Sequence, residues 1–241
     1  MTGAVSLFFT CEHGGNRIPE AYRASFAGNG KLLRTHRGYD IGALRYAREL
    51  AAHFGAPLMA TTVSRLLVDL NRSPGHPGQF SEFSRTLPHP LRMEILERHY
   101  QPFRSAAELH VGREVAAGRR VVHVSCHSFT PVFDGELRNA DVGFLYDPGR
   151  DGESALCSHW RAALRAQAPG LRARMNYPYR GTADGFTVHL RRRFAPADYV
   201  GIELEVNQAQ VRPGAEGWLA LRQLLCNSLE SALAAWDGPS V

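Results

Sequence analysis

The 241-residue sequence predicts one α/β domain over residues 1–241: a central mixed, mostly parallel sheet with helices on both faces. Three observations predict it. Short apolar, β-branched or aromatic runs stand at Val5–Cys11, Val121–Cys126 and Tyr199–Val206. Stretches with helical apolar spacing separate or follow them: the stripe Ile41, Leu44, Ala47, Leu50 and Ala51, then Ser154–Ala166, then Glu216–Ala235. Finally, each apolar run carries or leads into His, Asp or Glu, as expected where an open α/β sheet builds its site at the carboxyl ends of its strands.

The elements follow in order. Val5–Cys11 is a buried strand that runs into Glu12-His13-Gly14-Gly15-Asn16. Its imidazole is a candidate metal ligand or, alternatively, a loop cap. Asp40 stands where the next helix needs an N-cap, and a metal ligand would also fit there. Pro57–Val63 reads as a strand. Val63–Ser73 (VSRLLVDLNRS) reads as a second buried strand that carries Asp69, Asn71 and Arg72 to the end of the sheet. A guanidinium beside a primary amide suits a carboxylate, gripped by a fork and a further donor; a surface ion pair is the alternative. Ser73–Pro90, rich in Pro, Gly, Ser and His, is a long loop holding His76 and His89. Leu91–Ala117 is helical with a break near Pro102, and Gly118 stops it.

Val121–Cys126 repeats the arrangement at His13: an apolar strand, a cysteine, then His127 at the tip. Two such settings in one chain point to a shared cation, since catalytic zinc takes three N, S or O ligands and keeps one position open. Cys11 and Cys126 adjoin these histidines and so face the opposite side of each strand, which makes them packing groups. Asp141–Tyr146 is a further strand, and Ser154–Ala166 a helix with Leu156, Trp160 and Leu164 on its inner stripe. Asn176–Thr187 is a turn-rich aromatic rim where Arg180 meets either a substrate charge or solvent. In Tyr199–Val206, Glu203 and Glu205 share a face. Carboxylates in an apolar strand are costly unless paired or used, so one can serve as a proton acceptor or both can pair with arginines.

Composition narrows the function. The net charge is +5 and Lys31 is the only lysine, but the arginines are scattered rather than striped between aromatics, which argues against a nucleic-acid binder and leaves small anionic substrates. The four cysteines form no C-x-x-C pair, too few and too dispersed for a disulfide framework in a chain this long. The N-terminus lacks a signal-peptide pattern, and no run approaches the ~20 apolar residues of a membrane span. A cytoplasmic protein without membrane partners is the expectation; the sequence leaves the oligomeric state open.

Taken together, His13-Gly14-Gly15 with Ile18-Pro19, Tyr39-Asp40, Ser64-Arg65 through Asp69-Leu70-Asn71-Arg72, Cys126-His127-Ser128, Gly185-Phe186-Thr187 and Glu203-Leu204-Glu205 resemble the N-formylglutamate amidohydrolase family, from about Cys11 to Gln208. That family is similar to zinc carboxypeptidases and N-acyl amino-acid deacylases. The resemblance implies a zinc-carboxypeptidase-like (phosphorylase/hydrolase-like) fold. It implies one zinc ion on His13 and His127, with Asp40 as the third ligand. Zinc carboxypeptidases place that acid three residues after the first histidine, where this chain has Asn16, a poor zinc ligand. It further implies a carboxylate clamp of Asn71 and Arg72 with Arg65, and a general base at Glu203 or Glu205, the family pattern favouring Glu205. The implied substrate is a small anionic N-acyl amino acid, N-formylglutamate first. The alternatives are a carboxypeptidase-like metallopeptidase on another N-acyl or dipeptide substrate, and a metal-free binding protein on the same fold.

Overall fold

The computed structural model describes residues 4–211 and 217–236; Met1–Gly3 of the N-terminal stretch and Glu216, the expected start of the last helix, lie outside them. The strands are β1 (Val5–Cys11), β2 (Leu58–Ala60), β3 (Arg120–Phe129), β4 (Val132–Phe133), β5 (Glu136–Leu137), β6 (Val142–Leu145), β7 (Ala173–Met175) and β8 (Tyr199–Asn207). The helices are α1 (Gly30–Leu33), α2 (Ala43–Phe54), α3 (His89–Ile95), α4 (Gln101–Ala116), α5 (Asp151–Gln167), α6 (Phe186–Arg193) and α7 (Gly217–Ala235). Six strands form one sheet in the order β2-β1-β3-β8-β6-β7, with only the β8–β6 pair antiparallel. The α/β class and the mixed, mostly parallel sheet are therefore as expected.

The period of two along a strand sorts the sheet into two faces. Phe9 and Cys11, Val122, Val124 and Cys126, and Val200, Ile202, Leu204 and Val206 point to one side. There α2, α5 and α7 cover them with Tyr46, Leu50, Leu156, Trp160, Leu225 and Leu229. Both strand cysteines are buried, free thiols of this core. The opposite face is apolar only at its base, where Phe8, Val121 and Tyr199 pack on Ala107 and Val111 of α4 and on Phe186 and Leu190 of α6. Further along, the same face carries Thr10, His123, Ser125, His127, Glu203 and Glu205, all buried. Strand register thus gathers polar groups at the carboxyl end of one face: Ser125 lies opposite Glu203 and His127 opposite Glu205.

Several expectations change. Val63–Ser73 is a chain of turns, with Val63 making a single bridge to Arg17. Its apolar residues Leu66, Leu67, Val68 and Leu70 fill a separate cluster with Ile18, Tyr22, Phe26, Ile95 and Tyr100, so an apolar run that looked like a sheet strand packs on a satellite core. The helix from His89 does not break near Pro102. It passes through a π-turn at Leu96–Tyr100, and Pro102, in the first turn after it, is accommodated where the hydrogen-bond ladder changes step. His89 opens this helix instead of lying in the loop. Asp40 does not cap α2; that helix starts after Gly42, and its other end is closed by Gly55 in the left-handed region (φ 59°). The helix α6, which begins at the end of the stretch read as a rim, was not anticipated.

α6 is held by charge buried beneath it. Arg191 pairs with Glu153 of α5 (2.9 Å) and donates to the carbonyls of Gly181 and Gly201, and Glu153 also accepts the backbone N–H of Asp147 and of Gly201. Replacing one partner leaves the other charge buried and unpaired. Arg191→Met is expected to lower unfolding stability by about 3–5 kcal/mol. Urea denaturation checks this, and a loss under about 1 kcal/mol would show that the pair does not anchor the helix.

Candidate active site

The turn after β1, the approach to α2 and the end of β3 bring His13, Asp40 and His127 together; one donor atom from each lies within 4.8 Å of the others, and all three are buried. His127 Nδ1 is 2.8 Å from Asp40 Oδ2, and His13 Nδ1 is 3.3 Å from the same oxygen. The far nitrogens settle the tautomers. Asp69 has no proton to give, so His13 Nε2–H donates to its Oδ1 at 2.8 Å. Ser125 gives its own proton to Glu12 Oε2 at 2.7 Å and so accepts from His127 Nε2–H at 2.8 Å. When neutral, each ring therefore turns an Nδ1 lone pair toward one carboxylate oxygen. Such groups repel unless a proton or a cation lies between them, and two imidazole nitrogens with a carboxylate oxygen form a donor set that could hold a divalent metal ion.

The charges agree. Burial alone would lower the His127 pKa, but its hydrogen bond to Asp40 and the charges of Asp40, Glu12 and Glu205 raise it to about 10. Burial would raise Asp40, but the His13 charge, hydrogen bonds from both histidines and the Arg65 guanidinium hold it far below the usual carboxylate range. Arg65 reaches both Asp40 (3.3 Å) and Asp69 (2.8 Å), so it stabilises the acids behind the histidines. Asn16, the other candidate third ligand, is not among the residues that line the cavity beside the cluster.

This cluster forms one end of a cavity of about 300 Å³. On its walls stand Glu203, Glu205, Asn71, Arg72, Arg65 and Arg180, the residues the sequence offered for proton transfer and substrate binding. Glu205 Oε2 has no hydrogen-bond partner among the described residues. Burial pushes its pKa up to about 8, opposed by His127 and reinforced by Asp40 and Glu203. Glu203 instead accepts a hydrogen bond from the Thr187 hydroxyl (2.7 Å), so the two glutamates differ: one is engaged, the other open. Asn71 Oδ1 accepts the N–H of Phe186 (2.6 Å), capping α6 from a distant segment and leaving its amide NH₂ for the cavity. Arg72 spends one N–H on the carbonyl of Asp184 (2.8 Å). The carbonyl of Arg72 is held by Tyr100 Oη (2.7 Å), which the π-turn places there, and by Arg104 (3.3 Å). Arg180 is exposed at the rim beside Tyr179 and Phe133.

Sequence reasoning missed Glu12, Ser125 and Tyr100, and singled out Asp69 without its place behind His13. Ser125 carried a signal, two residues before His127 and hence on the same strand face. The others depend on which segments become neighbours.

No curated protein matches the chain. Among solved structures, a gene product of Agrobacterium tumefaciens is 30% identical with a TM-score of 0.82, over 98% of this chain and 92% of that one. An N-formylglutamate amidohydrolase from Ralstonia eutropha JMP134 shares the fold at 18% identity and a TM-score of 0.71, over 96% and 94% of the two chains. A metallo-carboxypeptidase from Burkholderia cenocepacia matches at 11% identity and a TM-score of 0.39, over 97% and 58%, and nothing is drawn from it. No helix among the described residues is long and apolar enough to cross a membrane. The family model for N-formylglutamate amidohydrolase matches residues 5–211; the chain belongs to that family and is an amidohydrolase.

Proposed function

We propose that the protein is a zinc-dependent amidohydrolase that cleaves the acyl amide of a small anionic N-acyl amino acid, with N-formylglutamate the leading substrate. The observation that carries this reading is the convergence of two imidazole lone pairs and a carboxylate oxygen on one point beside an unpartnered carboxylate. His13, Asp40 and His127 would hold the zinc. When bound, zinc supplies Lewis-acid polarisation of the acyl carbonyl and lowers the pKa of water to about 7.

The chain's own residues do the rest. Glu205 accepts a proton from the attacking water and returns it to the leaving amine nitrogen. Its environment suits that shuttle: it is buried, its Oε2 is open, and its pKa is raised to about 8, so it can carry the proton between the two steps. Glu203 lines the same wall, with Thr187 holding one of its oxygens. Arg72 and the Asn71 amide orient the substrate by one carboxylate, and Arg65 adds positive charge beside the acids. Arg180 at the rim suits a second carboxylate, as a dicarboxylic N-acyl amino acid would present. The family assignment and the Ralstonia eutropha namesake support this substrate class. The fold and the cavity accommodate a wider set of amides, so a panel of N-acyl amino acids against dipeptides tests it. Turnover of N-formylglutamate well above dipeptides is expected; a preference for dipeptides would move the protein to the peptidase reading.

Three outcomes follow. His127→Ala should lose both zinc and hydrolysis, whereas Glu205→Gln should keep zinc and lose about 10²–10⁴-fold in kcat. Metal analysis beside initial rates checks this, and a Glu205→Gln enzyme of full activity would remove Glu205 from the mechanism. Arg72→Ala should raise KM about ten- to a hundredfold, the value of a charge-assisted contact, with kcat little changed. An equal loss confined to kcat would contradict a clamp. The metal-free protein should also show a pH signature. His127 binds its proton more tightly folded (about 10) than at its ordinary 6.5, so that stabilisation is complete below 6.5 and lost as the pH rises through about 10. Melting temperatures of metal-free protein should fall across that window and rise again on adding zinc; a flat profile would contradict the Asp40–His127 contact.

A further inference from the structure

Glu12 is a carboxylate that the proposed reaction does not use. It is 1% exposed, its Oε1 has no partner among the described residues, and its Oε2 takes the Ser125 proton at 2.7 Å. Among the described residues the only cationic group within 4.0 Å of it is the His127 ring, whose Nε2 lies 3.4 Å away. A carboxylate buried in this way is costly unless something positive compensates it. The nearest compensation comes through the imidazole whose other nitrogen faces Asp40, and the buried Arg104 guanidinium adds its charge from farther off.

The placement is a product of the sheet. Thr10 pairs with Ser125, so Glu12, two residues on, emerges beside Ser125 and His127. Ser125 and His127 share a face because they are two apart on β3. The hydrogen bonds run one way only: His127 Nε2–H to Ser125 Oγ, then Ser125 O–H to Glu12 Oε2. That direction keeps a proton on Nε2 and leaves Nδ1 as the donor atom.

We infer that Glu12 and Ser125 form a relay that positions His127 for a metal ion, fixing its tautomer and raising the basicity of its Nδ1. This inference rests on the metal reading above. Glu12 and Ser125 are positioning residues, since neither reaches the cavity. The two histidines are thus held by different devices. His13 has a carboxylate directly on Nε2, that of Asp69 at 2.8 Å, whereas His127 reaches its carboxylate through a hydroxyl. Groups in this position on other metal sites set affinity as well as orientation.

The test is zinc affinity of the whole chain, by competition with a chromophoric chelator, in wild type, Glu12→Gln, Ser125→Ala, the double variant and His127→Ala. Glu12→Gln and Ser125→Ala should each weaken zinc binding about 10–100-fold. The double variant should be about as weak as the worse single one, because both break one line. Ser125→Ala removes a single oxygen and leaves every charge in place, which keeps the test available if Glu12→Gln folds poorly. In zinc-loaded protein the His127 Nε2–H proton resonance should move upfield in either variant, which a packing defect elsewhere would not cause. Zinc affinity within twofold of wild type in both single variants, with binding abolished in His127→Ala, would overturn the relay and leave the metal reading standing. Failure of wild type to take up zinc would overturn both.

Discussion

Asp40 is the group on which the site depends. One of its oxygens lies against both histidines and the other faces Arg65, so three segments distant in sequence meet at a single buried carboxylate. Around it the charges alternate: Asp69 behind His13, Glu12 behind His127, Arg65 bridging Asp40 and Asp69. Buried ions in a low-dielectric interior persist only where such alternation is nearly complete. Where it is incomplete, at the space between the Nδ1 atoms and at Glu205, the protein has reactivity to offer.

The sheet makes that concentration possible. One face is apolar throughout and fixes the domain against α2, α5 and α7. The other changes from Phe8, Val121 and Tyr199 at its base to His127 and Glu205 at its tip. The well-packed half supplies the rigidity, and the polar half holds side chains in fixed relative positions without loops having to do so. Loops add the substrate side, and they too are tied down: Asn71 caps α6, Tyr100 holds Arg72, and Arg191 holds the chain at Gly181.

The legible parts of the sequence were those with a local cause. β1, β3 and β8 announced themselves by β-branched and aromatic runs, and α5 and α7 by apolar stripes. Val63–Ser73 misled because Leu66-Leu67-Val68 is as apolar as a strand, and no local pattern says which core an apolar run will join. α6 was invisible because FTVHLRRR has little helical signal of its own; a cap from Asn71 and an ion pair with Glu153 hold it. His13, Asp40 and His127 could be picked out one by one, and the order of the family's motifs joined them. Glu12 could not, because its neighbours are decided by the pairing of Thr10 with Ser125 across two strands.

The antiparallel hairpin β4–β5, turned by Asp134 and Gly135 at positive φ, stands at the mouth of the cavity. Beside it, the Arg138 guanidinium lies 4.5 Å from the Phe133 ring and 4.9 Å from that of Tyr179. One cation held between two rings fastens the hairpin to the opposite bank. The cation and its two rings thus join, at the edge of the cavity, two segments that the main sheet leaves unconnected.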